Sequence, residues 1–287
     1  MPEDAERFTR RALLTTGAVA ALGGAVWFAA DRGIHIGDVV DDLSEGLDGL
    51  ERPQPGASVT PVPASDLTAY DRIAGSRLHY EASGAPSSFR MGSGFAEKLD
   101  ASLTSHWQAT RWGVPSQVWS YGTWVDLDAR PRPSWHHEGR AFDLTSVRTS
   151  DDDVLVSCRY DRWGGTSGPE RADHEREYWR LAATLLRDFG TVLTYLFDEA
   201  HHDHIHVDDG RTPEGRSEFR RTRTQVHGVQ AICTHVWGVD VPITGRWDAR
   251  TREATTGVLA DLGVGGRLTQ GQKQWHAFLG AAAGYSP

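Results

Sequence analysis

Ser134-Trp135-His136-His137-Glu138-Gly139-Arg140-Ala141-Phe142-Asp143 is the stretch from which the fold can be read. Gly139 breaks the segment between His136 and Asp143 and permits a tight turn. After it, Ala141-Phe142-Asp143-Leu144 alternates as a strand does, with Phe142 and Leu144 on one side and Ala141 and Asp143 on the other. The small Ala141 leaves room beside Asp143. A loop histidine and a strand carboxylate are therefore expected to converge.

An answering stretch follows sixty residues later. In His201-His202-Asp203-His204-Ile205-His206-Val207-Asp208, alternation sends Ile205 and Val207 to the core. His204, His206 and Asp208 then share the other face, with neighbours about 6–7 Å apart. The two stretches hold six of the thirteen histidines. Imidazole with carboxylate is the donor set of a zinc site that keeps one position open. A His-x-His alone is unremarkable on a strand. Five fixed positions in Ser-x-His-x-x-Gly-x-Ala-x-Asp, followed by the His201–Asp208 stretch, are far more specific.

The remaining elements support this pair. Phe95, Leu99, Leu103 and Trp107 recur at helical spacing behind Ser93, and Gly113 and Pro115 close that helix. Val118 to Val125 reads as strand, bend at Gly122, strand. Residues 130–133, Arg-Pro-Arg-Pro, form a loop, and Asp151-Asp152-Asp153 a solvated turn. Tyr178, Leu181, Ala182, Leu185, Leu186 and Phe189 mark the clearest helix, stopped at Gly190. Val192 to Phe197 reads as a buried strand, and residues 198–203 as a hairpin loop.

With 287 residues the chain is long enough for one sizeable core and a smaller second unit. Eleven tryptophans and a mean hydropathy of -0.47 argue against an integral multi-span protein. A net charge of -9 argues against a nucleic-acid partner. Two cysteines, Cys158 and Cys233, are too few for a disulfide framework; one bridge and two buried thiols both remain open. Arg10-Arg11 before a weakly hydrophobic run to Ala30 resembles a twin-arginine export signal, a plain membrane anchor being the other reading. Residues 1–30 are thus expected to engage the membrane or export machinery, and the protein to be exported to the cell envelope or beyond. Residues 31–65, with four prolines after an amphipathic patch, read as a linker.

The Ser134–Asp143 motif resembles the signature of the zinc D,D-peptidases, which include D-Ala-D-Ala carboxypeptidases and murein endopeptidases. The His201–Asp208 motif is most similar to the bacterial extensin-like C-terminal domain branch. The resemblance covers residues 66–210. It implies an α+β fold of hedgehog/D,D-peptidase type, a small antiparallel sheet flanked by helices. It implies that His136, Asp143 and His206 bind Zn2+. His201 and His204 fall where murein endopeptidases keep further active-site histidines, and Ser134 and His201 are expected next to the ligands. Asp203 stands where the dipeptidases carry a catalytic Glu. Asp203 and His204 compete for the role of base: in a fully extended strand Asp203 points away, whereas in a turn it can reach the metal. Asp203 is expected as base and His204 as a group that steadies the transition state.

The implied activity is hydrolysis of amide bonds in peptidoglycan peptides by a monomer, as carboxypeptidase or endopeptidase. The alternative is a wall-binding protein that keeps zinc without hydrolysis. One departure concerns the Arg in the Ser-Gly-Tyr-Arg-Ser segment of the carboxypeptidases. The matching Trp119-Ser120-Tyr121-Gly122-Thr123-Trp124 has none, which leaves Arg140 or Arg90 as candidate partners for a substrate carboxylate. Residues 222–287 read as a small helical C-terminal unit. Val226, Val229, Cys233 and Val236 mark its first helix, and another begins near Ala249. The loop between them, with Gly245-Arg246-Trp247-Asp248, is similar to that of the peptidoglycan-binding repeat. Trp275, Phe278 and Leu279 suggest a last docking helix.

Overall fold

The structure, a computed structural model, describes residues 59–110, 112–129, 133–210 and 215–285. The expected export segment, most of the linker and parts of two loops (130–132 and 211–214) lie outside the described residues. Those described belong to one compact unit of mixed α+β architecture with six helices among them.

A short ribbon comes first: β1 (Thr68–Tyr70) pairs with β5 (Phe89–Met91). The main sheet is built from β2 (Arg72–Ile73), β3 (Ser76–Tyr80), β6 (Gln117–Gly122), β7 (Ala141–Arg148), β9 (Thr191–Leu193) and β10 (Ile205–Asp208). Their order across it is β2-β3-β6-β7-β10-β9. Short strands β4 (Ala85–Pro86) and β8 (Val154–Ser157) add to β3 and β7. Most pairs are antiparallel, as expected, but β3 and β6 run parallel. The helix α1 (Ser93–Thr110) supplies the long crossover that a parallel pair requires, so the sheet is mixed.

One face of the sheet is the core. Leu78, Val118, Phe142, Leu144, Ile205 and Val207 are each no more than 1 % exposed. Phe95, Leu99, Leu103 and Trp107 of α1 are buried in the same cluster. After the short α2 (Tyr160–Trp163), α3 (Gly168–Asp188) adds Tyr178, Leu181, Leu185 and Leu186 to it. Full burial of each such side chain stabilises by about 1.5–3 kcal/mol, which is why the 3.6-residue stripes locate both long helices.

Two expected strands end early. Thr123–Val125 leaves the ladder after Gly122 because its carbonyls serve another partner, the His136 loop. β9 stops at Leu193, and Thr194–Phe197 turns, with Phe197 N donating to Thr194 O. Tyr195 thereby swings inward, where its hydroxyl donates to buried Glu175 at 2.7 Å. That carboxylate also accepts from Trp179 Nε1 at 3.0 Å and pairs with Arg171.

The C-terminal helices are α4 (Arg223–His235), α5 (Ala249–Asp261) and α6 (Gln272–Ala283). Their buried residues, Val229, Ile232, Leu259, Trp275 and Phe278 among them, share one hydrophobic core with α3. In the loop before α5, Gln230 uses its whole amide. Its Oε1 accepts from Thr244 N and Gly245 N, and its Nε2 donates to Arg246 O and Thr251 Oγ1. Asp248 caps α5 through Thr251 N at 2.8 Å. Cys158 and Cys233 are both buried free thiols.

The end of the linker is a structural element. Val62 N donates to His137 O at 2.8 Å and Trp124 Nε1 to Val62 O at 2.9 Å. Thr60 N donates to Glu138 Oε1 at 2.6 Å. Residues 59–67 thus strap the outside of the loop that carries His136. Gly139 sits under this strap at φ 62, where a Cβ would lie 2.9 Å from Leu67 Cδ1 and 3.1 Å from Gly92 N. Gly139→Ala is expected to lower stability by about 1–3 kcal/mol through strain and overlap, read as a drop in the urea midpoint.

Candidate metal centre

Three donor atoms from three places in the chain meet on the open face of the sheet. His136 comes from a single 3-10 turn, Trp135–Glu138, whose N-cap is Ser134. The Ser134 hydroxyl accepts from His136 N at 3.4 Å, so Ser134 shapes the turn. The turn ends at Gly139 in the left-handed region, and β7 begins two residues on. Asp143 lies on β7, directly opposite His206 of β10 in the antiparallel register. Cross-strand pairing therefore sets the distance between the carboxylate and the His206 imidazole.

His136 Nε2 lies 3.2 Å from His206 Nδ1 and 3.3 Å from Asp143 Oδ1. His206 Nδ1 lies 2.8 Å from the same oxygen. A tetrahedral zinc with bonds of about 2.0–2.1 Å separates neighbouring ligand atoms by about 3.3 Å. The three atoms span such an opening, and this is the one His/Cys/Asp/Glu group among the described residues fit to hold a metal ion.

The outer nitrogens fix the tautomers. His136 Nδ1 is 2.9 Å from Thr123 O and so carries the proton, turning the Nε2 lone pair inward. His206 Nε2 is 3.1 Å from Asp208 Oδ2, which frees Nδ1 in the neutral ring. Two imidazole lone pairs and one carboxylate then face each other with no donor among them. Only a cation resolves that arrangement.

In the metal-free protein the cation is a proton. Burial works against the His206 imidazolium, but its hydrogen bonds to Asp143 and Asp208 outweigh burial and raise its pKa to about 9. Burial likewise raises Asp143, yet the adjacent His136 charge and the bonds to His136 and His206 hold its carboxyl well below the usual range. A metal ion entering the site displaces that proton.

Asp208 has a role that strand alternation placed on the right face without assigning. Its carboxylate orients His206 from behind, the usual partner of a metal-bound imidazole. Asp208→Asn is expected to weaken metal binding at this group about ten- to a hundredfold with the fold intact, measured by competition against a chromogenic chelator.

The remaining histidines divide. His204, one residue before β10, presents Nε2 at 3.5 Å from Asp143 Oδ1. Its Nδ1 is 2.6 Å from Asp203 Oδ1. His204 therefore stands between Asp203 and the donor cluster, with Asp203 behind it. His201 packs against both His204 and His206, ring centroids 5.1 and 6.2 Å away, and binds Asp198 through Nδ1 at 2.5 Å. His137 turns outward to Val125 O. Tyr121, which the sequence left without a role, meets His204 edge-on at 6.1 Å. Burial, with Asp203 and Glu81 nearby, raises its pKa against the pull of Arg159, so the phenol stays protonated.

Neither expected carboxylate partner faces the site. Arg140 is held by Asp209 at 2.9 Å and Glu138 at 3.2 Å and lies over the Trp135 ring. Arg90 donates to Ala64 O and Leu67 O in the strap. The Thr123 hydroxyl donates to Arg90 O at 2.6 Å.

No protein-family model, curated protein or solved structure matches the chain.

Proposed function

We propose that the protein is an exported zinc-dependent hydrolase of the D,D-peptidase kind, cleaving amide bonds in peptidoglycan peptides. The observation that carries this reading is the donor triad itself. His136 Nε2, His206 Nδ1 and Asp143 Oδ1 converge at 2.8–3.3 Å with every ring N–H directed elsewhere. Both imidazoles and the carboxylate suit zinc, and three protein ligands leave a position for water or substrate. Zinc bound there would polarise the scissile carbonyl and make water acidic near neutral pH.

The chain's own residues handle the proton. His204 Nε2 faces the cleft and Asp203 fixes its Nδ1, a base with an orienting carboxylate. His204 takes a proton from the attacking water and returns it to the leaving amine. Asp203 holds the ring and supports its charged form. His204→Ala is expected to lower kcat by about a hundredfold with zinc content unchanged. Unaltered turnover would remove His204 from the role.

The direct test is digestion of purified muropeptides by the zinc-loaded full chain, followed by mass spectrometry. New free amine ends that vanish with chelator and return with zinc are expected. Bound zinc with no new amine end would instead favour a non-catalytic, zinc-containing wall-binding protein.

A further inference from the structure

The open face of the sheet does not end at the metal centre. Leu78 and Val118 point into the core, so Arg77 and His79 of β3 and Trp119 and Tyr121 of β6 point the other way. His79 stacks on Trp119 with ring centroids 5.1 Å apart, and Arg148 of β7 lies 3.8 Å over the same ring. Beyond Tyr121, Arg159 approaches its ring to 5.7 Å. Arg159 binds buried Glu81 at 2.6 Å, and Arg162 binds the same carboxylate at 3.0 Å.

This face carries charge of both signs. Four guanidiniums, at 77, 148, 159 and 162, are answered by Glu81 and by Asp161, which pairs with Arg159 at 2.7 Å. Arg77 is exposed and has no ion-pair partner among the described residues. Arg162 is 59 % exposed and commits only one nitrogen to Glu81. Asp152 beside His79 and Asp203 beside Tyr121 add negative charge to the same face, so the track offers two guanidiniums with uncommitted N–H donors, Arg77 and Arg162, rather than a net charge. A guanidinium with free N–H donors takes up a carboxylate that reaches it. From Tyr121 back to Gln117, which pairs with Arg77, the track runs about 13 Å, the length of four extended residues.

We infer that this guanidinium track binds the free carboxylates of an extended acidic peptide whose scissile amide lies at the Tyr121–His204 end. The inference rests on the hydrolase reading for its direction and names the substrate feature that reading leaves open. Arg77 and Arg162 make the carboxylate contacts. Arg148 and Arg159, stacked on Trp119 and Tyr121 and tied to Glu81, form the floor. Guanidinium and carboxylate match in planar two-point geometry, so the track discriminates an acid from its amide.

Calorimetry of the full chain with two synthetic stem peptides, identical except that their side-chain carboxylates are free or amidated, tests the track. The wild type is expected to bind the acid form about tenfold more tightly at low salt, with the advantage shrinking as salt rises. In the double variant Arg77→Gln, Arg162→Gln the advantage should disappear while zinc content and circular dichroism stay unchanged. Equal binding of the two peptides by the wild type, or an advantage that survives in the double variant, overturns the inference. Hydrolysis of the same peptides is read separately. Acid-selective binding without hydrolysis keeps the track and removes the hydrolase reading. Hydrolysis of both peptides with equal KM keeps the hydrolase and removes the track. No binding of either peptide removes the track as well.

Discussion

Asp143→Asn is expected to abolish metal binding at the His136–Asp143–His206 group, with zinc at micromolar concentration as the probe. The loss should exceed the roughly hundredfold upper bound for a residue that only supports a ligand. The substitution keeps size and shape but removes the one charge that all three neighbouring imidazoles address. Asp143 Oδ1 is within 3.5 Å of His136, His204 and His206. With an amide there, a divalent ion would meet neutral donors only. On the proposed hydrolase reading, cleavage of muropeptides vanishes in parallel. Chelator competition and metal analysis after gel filtration give the readout. Zinc retained at the wild-type level by Asp143→Asn would show that the ion sits elsewhere. Asp208→Asn is the natural contrast, because it loosens His206 and leaves all three donors in place.

Acid will destabilise the fold through His106, by up to about 4 kcal/mol between pH 6.5 and 3. His106 lies inside the helical layer, 0 % exposed, with Nδ1 2.7 Å from Thr184 Oγ1 and both Trp107 and Trp112 edge-on to its ring. Burial first, and then the charges of Arg180 and Arg187, lower its pKa to about 3. The sign follows from proton counting. Between pH 3 and 6.5 the unfolded chain holds a proton on this histidine that the folded chain does not. Stability therefore rises with pH through that window and falls as pH drops through it. His227, lowered by burial to about 4, adds a smaller contribution of the same sign. Urea unfolding of the wild type and of His106→Gln at pH 7 and pH 4.5 isolates the residue. The variant should lose less stability on acidification than the wild type, and an identical loss would exclude His106 as the source.

The two helices α1 and α3 were legible at once, because a stripe such as Phe95, Leu99, Leu103, Trp107 has no use except burial on one side. The strand bearing His206 was equally plain, since Ile205 and Val207 must face the core and the histidine then cannot. The ends of elements were harder to read. Nothing local tells Thr123–Val125 to leave β6. Its carbonyls are claimed by His136 and His137, residues more than ten positions away. Tyr195 leaves the expected strand for the same kind of reason, a hydroxyl drawn to a buried carboxylate on α3. The linker composition suggested extended chain, and it gave no hint that residues 59–67 fasten the metal-site loop.

The Ser134–Asp143 stretch by itself determined the turn at Gly139, the strand that follows, and the presence of a histidine and a carboxylate on either side of the turn. These depend on backbone freedom and a period of two, both local properties. Only the tertiary structure decided that β10 lies against β7 with His206 opposite Asp143. It also decided that Thr123 O and Asp208 orient the two rings, and that Asp203 stands behind His204. Those relations are set by strand register and by hydrogen bonds across the fold, where the partner of each nitrogen is chosen by which element packs beside it.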